Sequence, residues 1–148
     1  MKKNEEYIVT CIDDTDLNSG VVKIDDMVVF VPNLLIGEKA KIKIVKVNKK
    51  YAFGIITQLL KPSINRQELP CEVAKTCGGC QLQHMKYAYQ LDYKYKHVKK
   101  LFEDIEVKSI LGMDSPWYYR NKAQFPVKIK DGKVLMGFYR QHSNDVVT

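Results

Sequence analysis

SGVVKIDDMVVFVPNLLIGEKAKIKI, residues 19–44, sets three short β-branched runs between turn formers. Val21–Ile24, Met27–Val31 and Ala40–Val47 each have strand length, and Asp25-Asp26 and Pro32-Asn33 through Gly37 break them apart. Outward from this core, Ile8–Ile12 precedes it across an Asp-rich turn, and Tyr51–Leu59 follows Asn48-Lys49-Lys50. Five short strands at this spacing suit a small closed or partly closed barrel.

Ala40, Ile42 and Ile44 alternate with Lys39, Lys41 and Lys43, so a period of two buries one face and lines the other with ammonium groups. Lys41 and Lys43 are therefore candidate phosphate contacts; a solubilising edge strand explains the same lysines. The alternation slips near Val45 and Lys46, which predicts a bulge or the strand's end. Cys11 reads as a small strand residue. Lys61-Pro62-Ser63 then ends the β pattern, which places a domain boundary between residues 61 and 62.

The second part, residues 62–148, holds CEVAKTCGGCQLQH at 71–84, with three cysteines, two adjacent glycines and a histidine. Without an apolar run long enough to span a bilayer or a secretory leader, the chain reads as cytoplasmic with no membrane partner. Clustered thiols in a reducing compartment point to metal binding. Cys77 and Cys80, with two residues between them, can grip one ion or cluster from a tight loop. Gly78 and Gly79 suit such a loop, since they tolerate left-handed dihedrals and let backbone N–H groups approach the sulfurs. Cys71, Cys77 and Cys80 leave one position open: His84 completes a zinc site, or a fourth cysteine completes an iron–sulfur cluster.

After the cysteines, Ala88, Leu91, Tyr95, Val98, Leu101 or Phe102, and Ile105 recur at helical spacing and predict one apolar stripe. Tyr89, Tyr93, Lys96 and Lys100 share another face, as rim residues of a core or as a base-stacking, phosphate-contacting surface. Tyr118–Ile129 and Val134–Arg140, around Asp131-Gly132, predict a hairpin decorated by Arg120, Lys122 and Arg140 among other bases. The net charge is +7, of which residues 61–148 contribute +6, so a polyanionic partner is expected there.

Several stretches together resemble one family. Residues 19–44 are similar to a TRAM barrel core, PSINRQELPCEVAKTCGGCQLQHMKYAYQLDYK (62–94) to a cluster segment with its following helix, and YRNKAQFPV (119–127) with GFYRQHSNDVV (137–147) to a central-domain hairpin. The family is the bacterial RNA 5-methyluridine methyltransferases that act on 23S ribosomal RNA. C-x5-C-G-G-C carries the resemblance best, and it differs from the C-x3-C-x2-C of radical-SAM enzymes.

The resemblance implies a mainly β, α+β chain: a five-stranded OB-like TRAM barrel over 1–61, then a small central domain over 62–148 with a cysteine cluster loop. It implies a 4Fe-4S cluster on Cys71, Cys77 and Cys80, with a fourth cysteine beyond Thr148, and zinc as the alternative metal. S-adenosylmethionine and the catalytic cysteine and base would belong to a domain outside these residues, so the chain by itself is expected to be inactive. The expected partner is RNA, 23S ribosomal RNA in particular, bound by a monomer without DNA specificity through Lys41, Lys43, Lys96, Lys100, Arg120, Lys122 and Arg140. Two rival readings are a free-standing zinc-stabilised RNA-binding adaptor and a protein-interaction module whose charge is incidental.

Overall fold

The computed structural model describes residues 1–141 and 143–148. The chain folds as two compact units, Met1–Arg66 and Gln67–Thr148. Among the described residues no helix is long and apolar enough to cross a membrane.

In the first unit, strands β1 (Glu6–Thr10), β2 (Asp13–Asp14), β3 (Ser19–Ile24), β4 (Met27–Pro32), β5 (Lys39–Val47) and β6 (Tyr51–Lys61) form one sheet in the order β1-β5-β6-β4-β3-β2. All neighbours are antiparallel except β4 and β6. There are six strands where five were expected, because the chain turns at Cys11 and Asp13–Asp14, read as part of a turn, pairs with β3 as β2. The Cys11 N–H bonds the Glu38 carbonyl and the Ile12 N–H bonds the Val21 carbonyl, both at 2.9 Å. One short run thus serves both edges of the sheet, which curls around its core.

That core is built from the inward phase of β1, β3, β4, β5 and β6, including Val9, Val22, Val29, Val31, Ala40, Ile42, Ile44 and Ala52. Cys11 joins it, fully buried at the bend. A Cβ at Gly20 would stand 2.4 Å from the Leu34 carbonyl oxygen, so only glycine lets β3 pass the 34–35 loop this closely.

Residues 62–66, expected at the head of the second domain, are tied into the first unit. Both carboxylate oxygens of the buried Glu38 receive Arg66, and one also accepts the Ser63 N–H at 3.0 Å.

Among its described residues the second unit holds α1 (Tyr87–Leu101) and four short strands: β7 (Val127–Lys130), β8 (Lys133–Met136), β9 (Phe138–Tyr139) and β10 (Val146–Val147). The helix does not bury the expected stripe. Tyr93 is its one buried residue, whereas Val98 and Leu101 are 44% and 77% exposed. The returning chain covers only the first turns of the stripe: Tyr95 Oη donates to the Val107 carbonyl and Tyr87 Oη accepts the Met113 N–H.

The Asp131-Gly132 turn forms as expected, with both residues left-handed at φ 52° and 73°, which is the type I′ pattern. The hairpin is shorter than predicted. β8 ends at Met136, opposite Val127, because Gly137 carries the chain on into β9; residues 118–126 therefore have no strand to pair with.

Candidate functional site

The outer face of the first sheet can be read row by row from the register. Lys41 and Lys43 point away from the core, but β5 lies between β1 and β6, so these lysines do not guard an edge. Lys41 Nζ is held by Glu6 at 2.7 Å. Lys43 stands opposite Ile55 on one side and Glu6 on the other. The expected slip is present as a register shift between Ile44 and Lys46. It turns Lys46, which strict alternation would send inward, to the outer face opposite Phe53.

Beside this lysine lies an aromatic cluster that sequence reasoning missed. Phe30 on β4 and Tyr51 and Phe53 on β6 have ring centroids 5.5–5.9 Å apart, two of the three pairs edge to face. The rings meet because β4 and β6 pair in parallel, with Phe30 opposite Phe53 and Val28 opposite Tyr51. The available signal was that all three sit in the outward phase of their own strands; the pairing that joins them is non-local.

In the second unit the cysteine loop lies against β9. Cys77 bridges Arg140, the Gly78 N–H donates to the Tyr139 carbonyl at 2.8 Å, and the Gln141 N–H donates to the Thr76 carbonyl. Neither Gly78 nor Gly79 uses the left-handed dihedrals open to it. They are small for a different reason: a Cβ on Gly78 would approach the Tyr139 carbonyl oxygen to 3.0 Å, and one on Gly79 would reach Cys77 Sγ and the Phe138 ring at 3.4 Å. The second half of the expectation holds, since the Gly79 N–H donates to Cys77 Sγ at 3.3 Å.

An N–H aimed at a cysteine sulfur, within a loop of three thiols, is a donor set suited to a thiolate-bound metal or cluster. The thiols themselves are not gathered: among the described residues no three His, Cys, Asp or Glu side chains stand close enough to share an ion. His84, the alternative zinc ligand, is buried, and its carbonyl accepts the Gln67 N–H.

Two of the basic residues singled out in the sequence converge on this loop. Arg140 does so through its backbone, which bridges Cys77, and the Arg120 guanidinium lies 5.6 Å over the Phe138 ring with Nη2 3.5 Å from the Gly79 carbonyl oxygen. A cleft of about 640 Å³ opens here, lined in part by Cys80, Tyr87, Lys94, Trp117 and Arg120. Lys122 is exposed but lies outside any strand. Lys96 is paired with Asp92 at 2.6 Å on α1, and Lys100 lies one turn on, near Phe102. Tyr93 is buried against the His97 ring and offers no face to a base.

Residues 3–57 match the family model of the TRAM domain. The first unit is a TRAM domain. Similarity continues well past it, through the cysteine loop and the hairpin. Along 99% of its length the chain aligns, 43% identical, with an uncharacterized RNA methyltransferase of Halalkalibacterium halodurans and, 44% identical, with one of Staphylococcus epidermidis. A Listeria monocytogenes RNA methyltransferase, also uncharacterized, is 43% identical over the same share. The chain spans about one third of the length of these relatives, 33–34%. Among solved structures, a conserved protein of Methanococcus maripaludis is 35% identical across 38% of this chain and 81% of its own, with a TM-score of 0.37. The similarity to proteins named as RNA methyltransferases thus covers both units of this chain.

Proposed function

We propose that this chain is the RNA-gripping part of a SAM-dependent RNA methyltransferase that makes 5-methyluridine in 23S ribosomal RNA. The observation that carries this reading is the 43–44% identity to RNA methyltransferases over 99% of the chain, spanning both units. C-x5-C-G-G-C supports the narrower uracil-C5 assignment.

In this reading the chain contributes binding and positioning. Lys43 and Lys46 on the TRAM sheet, and Lys96, Lys100 and Lys122 on the second unit, meet phosphates; such contacts dominate affinity and make it fall with salt. Arg120 reaches from the Phe138 ring of β9 to the Gly79 carbonyl and borders the cleft beside the cysteine loop, while the Arg140 backbone bridges Cys77. Cys71, Cys77 and Cys80 would hold three irons of a 4Fe-4S cluster, with the Gly79 N–H stabilising the Cys77 thiolate. Such a cluster would cross-link the 71–80 loop, which has little regular structure of its own. No residue of this chain is assigned to the methyl transfer.

Two measurements test the proposal. Filter binding of the chain to 23S ribosomal RNA fragments should give an affinity that falls steeply as salt rises; a salt-independent affinity would favour the protein-interaction reading. Nucleoside mass spectrometry of 23S ribosomal RNA should show loss of 5-methyluridine from cells lacking the full-length protein. Unchanged 5-methyluridine would overturn the uracil-C5 assignment.

A further inference from the structure

We infer that the Phe30–Tyr51–Phe53 cluster on the outer face of the TRAM sheet is a stacking platform for unpaired RNA bases, with Lys46 and Lys43 on β5 holding the adjoining phosphates. The inference deepens the RNA-binding reading above and rests on it.

The rings are not needed to close the core. Ala52, between Tyr51 and Phe53, and Val29 and Val31, which flank Phe30, already fill the inward side, and Ile42 and Val29 close the space at Gly54. The three aromatic side chains form a second, external cluster, in which Tyr51 is 40% exposed. Contiguous apolar groups left on the surface of a small domain mark an interaction site, and their surroundings indicate what interacts.

Here the surroundings are cationic on the β5 side. One row across the sheet reads Val21, Phe30, Phe53, Lys46; the next places Ile55 beside Lys43. In the row on the other side, Lys23 stands opposite Val28, which stands opposite Tyr51. Strands lie about 4.8 Å apart, and β3 and β5 are separated by β4 and β6, so Lys23 and Lys46 start from backbone positions roughly 15 Å from each other, with the rings between them. The acidic Asp25 and Asp26 occupy the β3–β4 turn next to Lys23, which leaves β5 as the more positive border.

Aromatic faces with flanking lysines suit a single-stranded nucleic acid, whose bases are free to stack while its phosphates meet the charges. A duplex hides its base faces and can use only the lysines. The bulge at Val45 has a defined part in this arrangement, because it brings Lys46 to the aromatic row.

The test uses the whole chain and two fluorescein-labelled probes, a 12-nucleotide oligouridine and a duplex of equal length. A third probe carries 2-aminopurine to report stacking. The unsubstituted chain should bind the single strand more tightly than the duplex and quench 2-aminopurine. Tyr51→Leu and Phe53→Leu, which keep apolar volume but remove the ring, should each weaken single-strand binding about tenfold at every salt concentration and leave the salt slope unchanged. Lys46→Ala should instead lower that slope by about 0.7. Melting curves establish that each variant is folded, and Tyr51→Phe, which keeps the ring, should bind like the original.

Folded Leu variants that bind and quench normally would overturn the platform while leaving RNA binding intact. An unsubstituted chain with no salt-dependent affinity for any RNA would overturn the underlying reading instead. Self-association abolished by Tyr51→Leu in sedimentation, without loss of RNA affinity, would reassign the rings to a contact between copies.

Discussion

Arg66 forks onto both carboxylate oxygens of Glu38, a side chain with no exposed surface, and its second Nη2 contact, at 2.6 Å, reaches the Asn33 carbonyl. The Leu35 and Ser63 N–H groups complete the shell around the carboxylate. This pair anchors the segment after β6 to the loop between β4 and β5. Removing one partner of such a buried pair leaves a charge with no compensation. Arg66→Ala should therefore destabilise the first unit by about 3–5 kcal/mol, measured by urea unfolding. A midpoint equal to that of the unsubstituted chain would mean that the pair is idle.

The same carboxyl predicts a pH dependence. Burial pushes the Glu38 pKa up, but Arg66 and the two backbone N–H groups outweigh it and hold the group below its usual 4.5. A depressed folded pKa adds stability that is fully present above the unfolded value and is lost as pH falls through the folded one. Urea midpoints of the first unit should thus decline below about pH 4.5, and Glu38→Gln, less stable at neutral pH, should decline less. Parallel declines would assign the acid sensitivity to other carboxylates.

Cys11 and the loop cysteines should differ in reactivity. Burial pushes the Cys11 thiol up to about 11, and its Sγ donates to the Asp13 carbonyl. Cys80 is exposed, and Cys71 and Cys77 are half-buried. Alkylation at pH 8 followed by mass spectrometry should label Cys80 first and Cys11 only after unfolding. Rapid labelling of Cys11 in the folded chain would contradict the bend that seals it.

Gly20 offers a direct check on that bend. Its missing Cβ would lie 2.7 Å from Cys11 Sγ and closer still to the Leu34 carbonyl oxygen. Gly20→Ala should lower stability by roughly 1–3 kcal/mol, and Cys11→Ala should not restore it, since the backbone clash remains. Full rescue in the double variant would place the crowding on the sulfur alone.

The proposed cluster predicts metal content. Full-length protein purified without oxygen should carry iron and acid-labile sulfide, and Cys77→Ser should lose both together with the order of the 71–80 loop. Stoichiometric zinc without sulfide, lost on His84→Ala, would favour the zinc-stabilised adaptor.

Much of the first unit is legible locally. The alternation of Lys39, Lys41 and Lys43 with Ala40, Ile42 and Ile44 predicts which side chains are buried, and all three apolar ones are. The slip at Val45 and the left-handed Asp131-Gly132 turn are also readable, because each depends on a few neighbouring residues. The helix is legible as a helix but not in its buried face. Periodicity ranks residues by apolarity, whereas Tyr93 is buried and Val98 exposed according to where the returning chain packs.

By itself the sequence determined the strand periods, the turns, the helix and the C-x5-C-G-G-C spacing, since these follow from backbone conformation and side-chain type within a few residues. Tertiary structure alone decided what lies beside what. Parallel pairing of β4 with β6 joined Phe30 to Tyr51 and Phe53, insertion of β5 between β1 and β6 removed its lysines from any edge, and the bridge from Cys77 to Arg140 seated the cysteine loop on β9. The physical reason is common to all three. Non-local pairing is selected by the burial of a whole core and by backbone hydrogen bonding across the fold, and no short window of residues contains those terms.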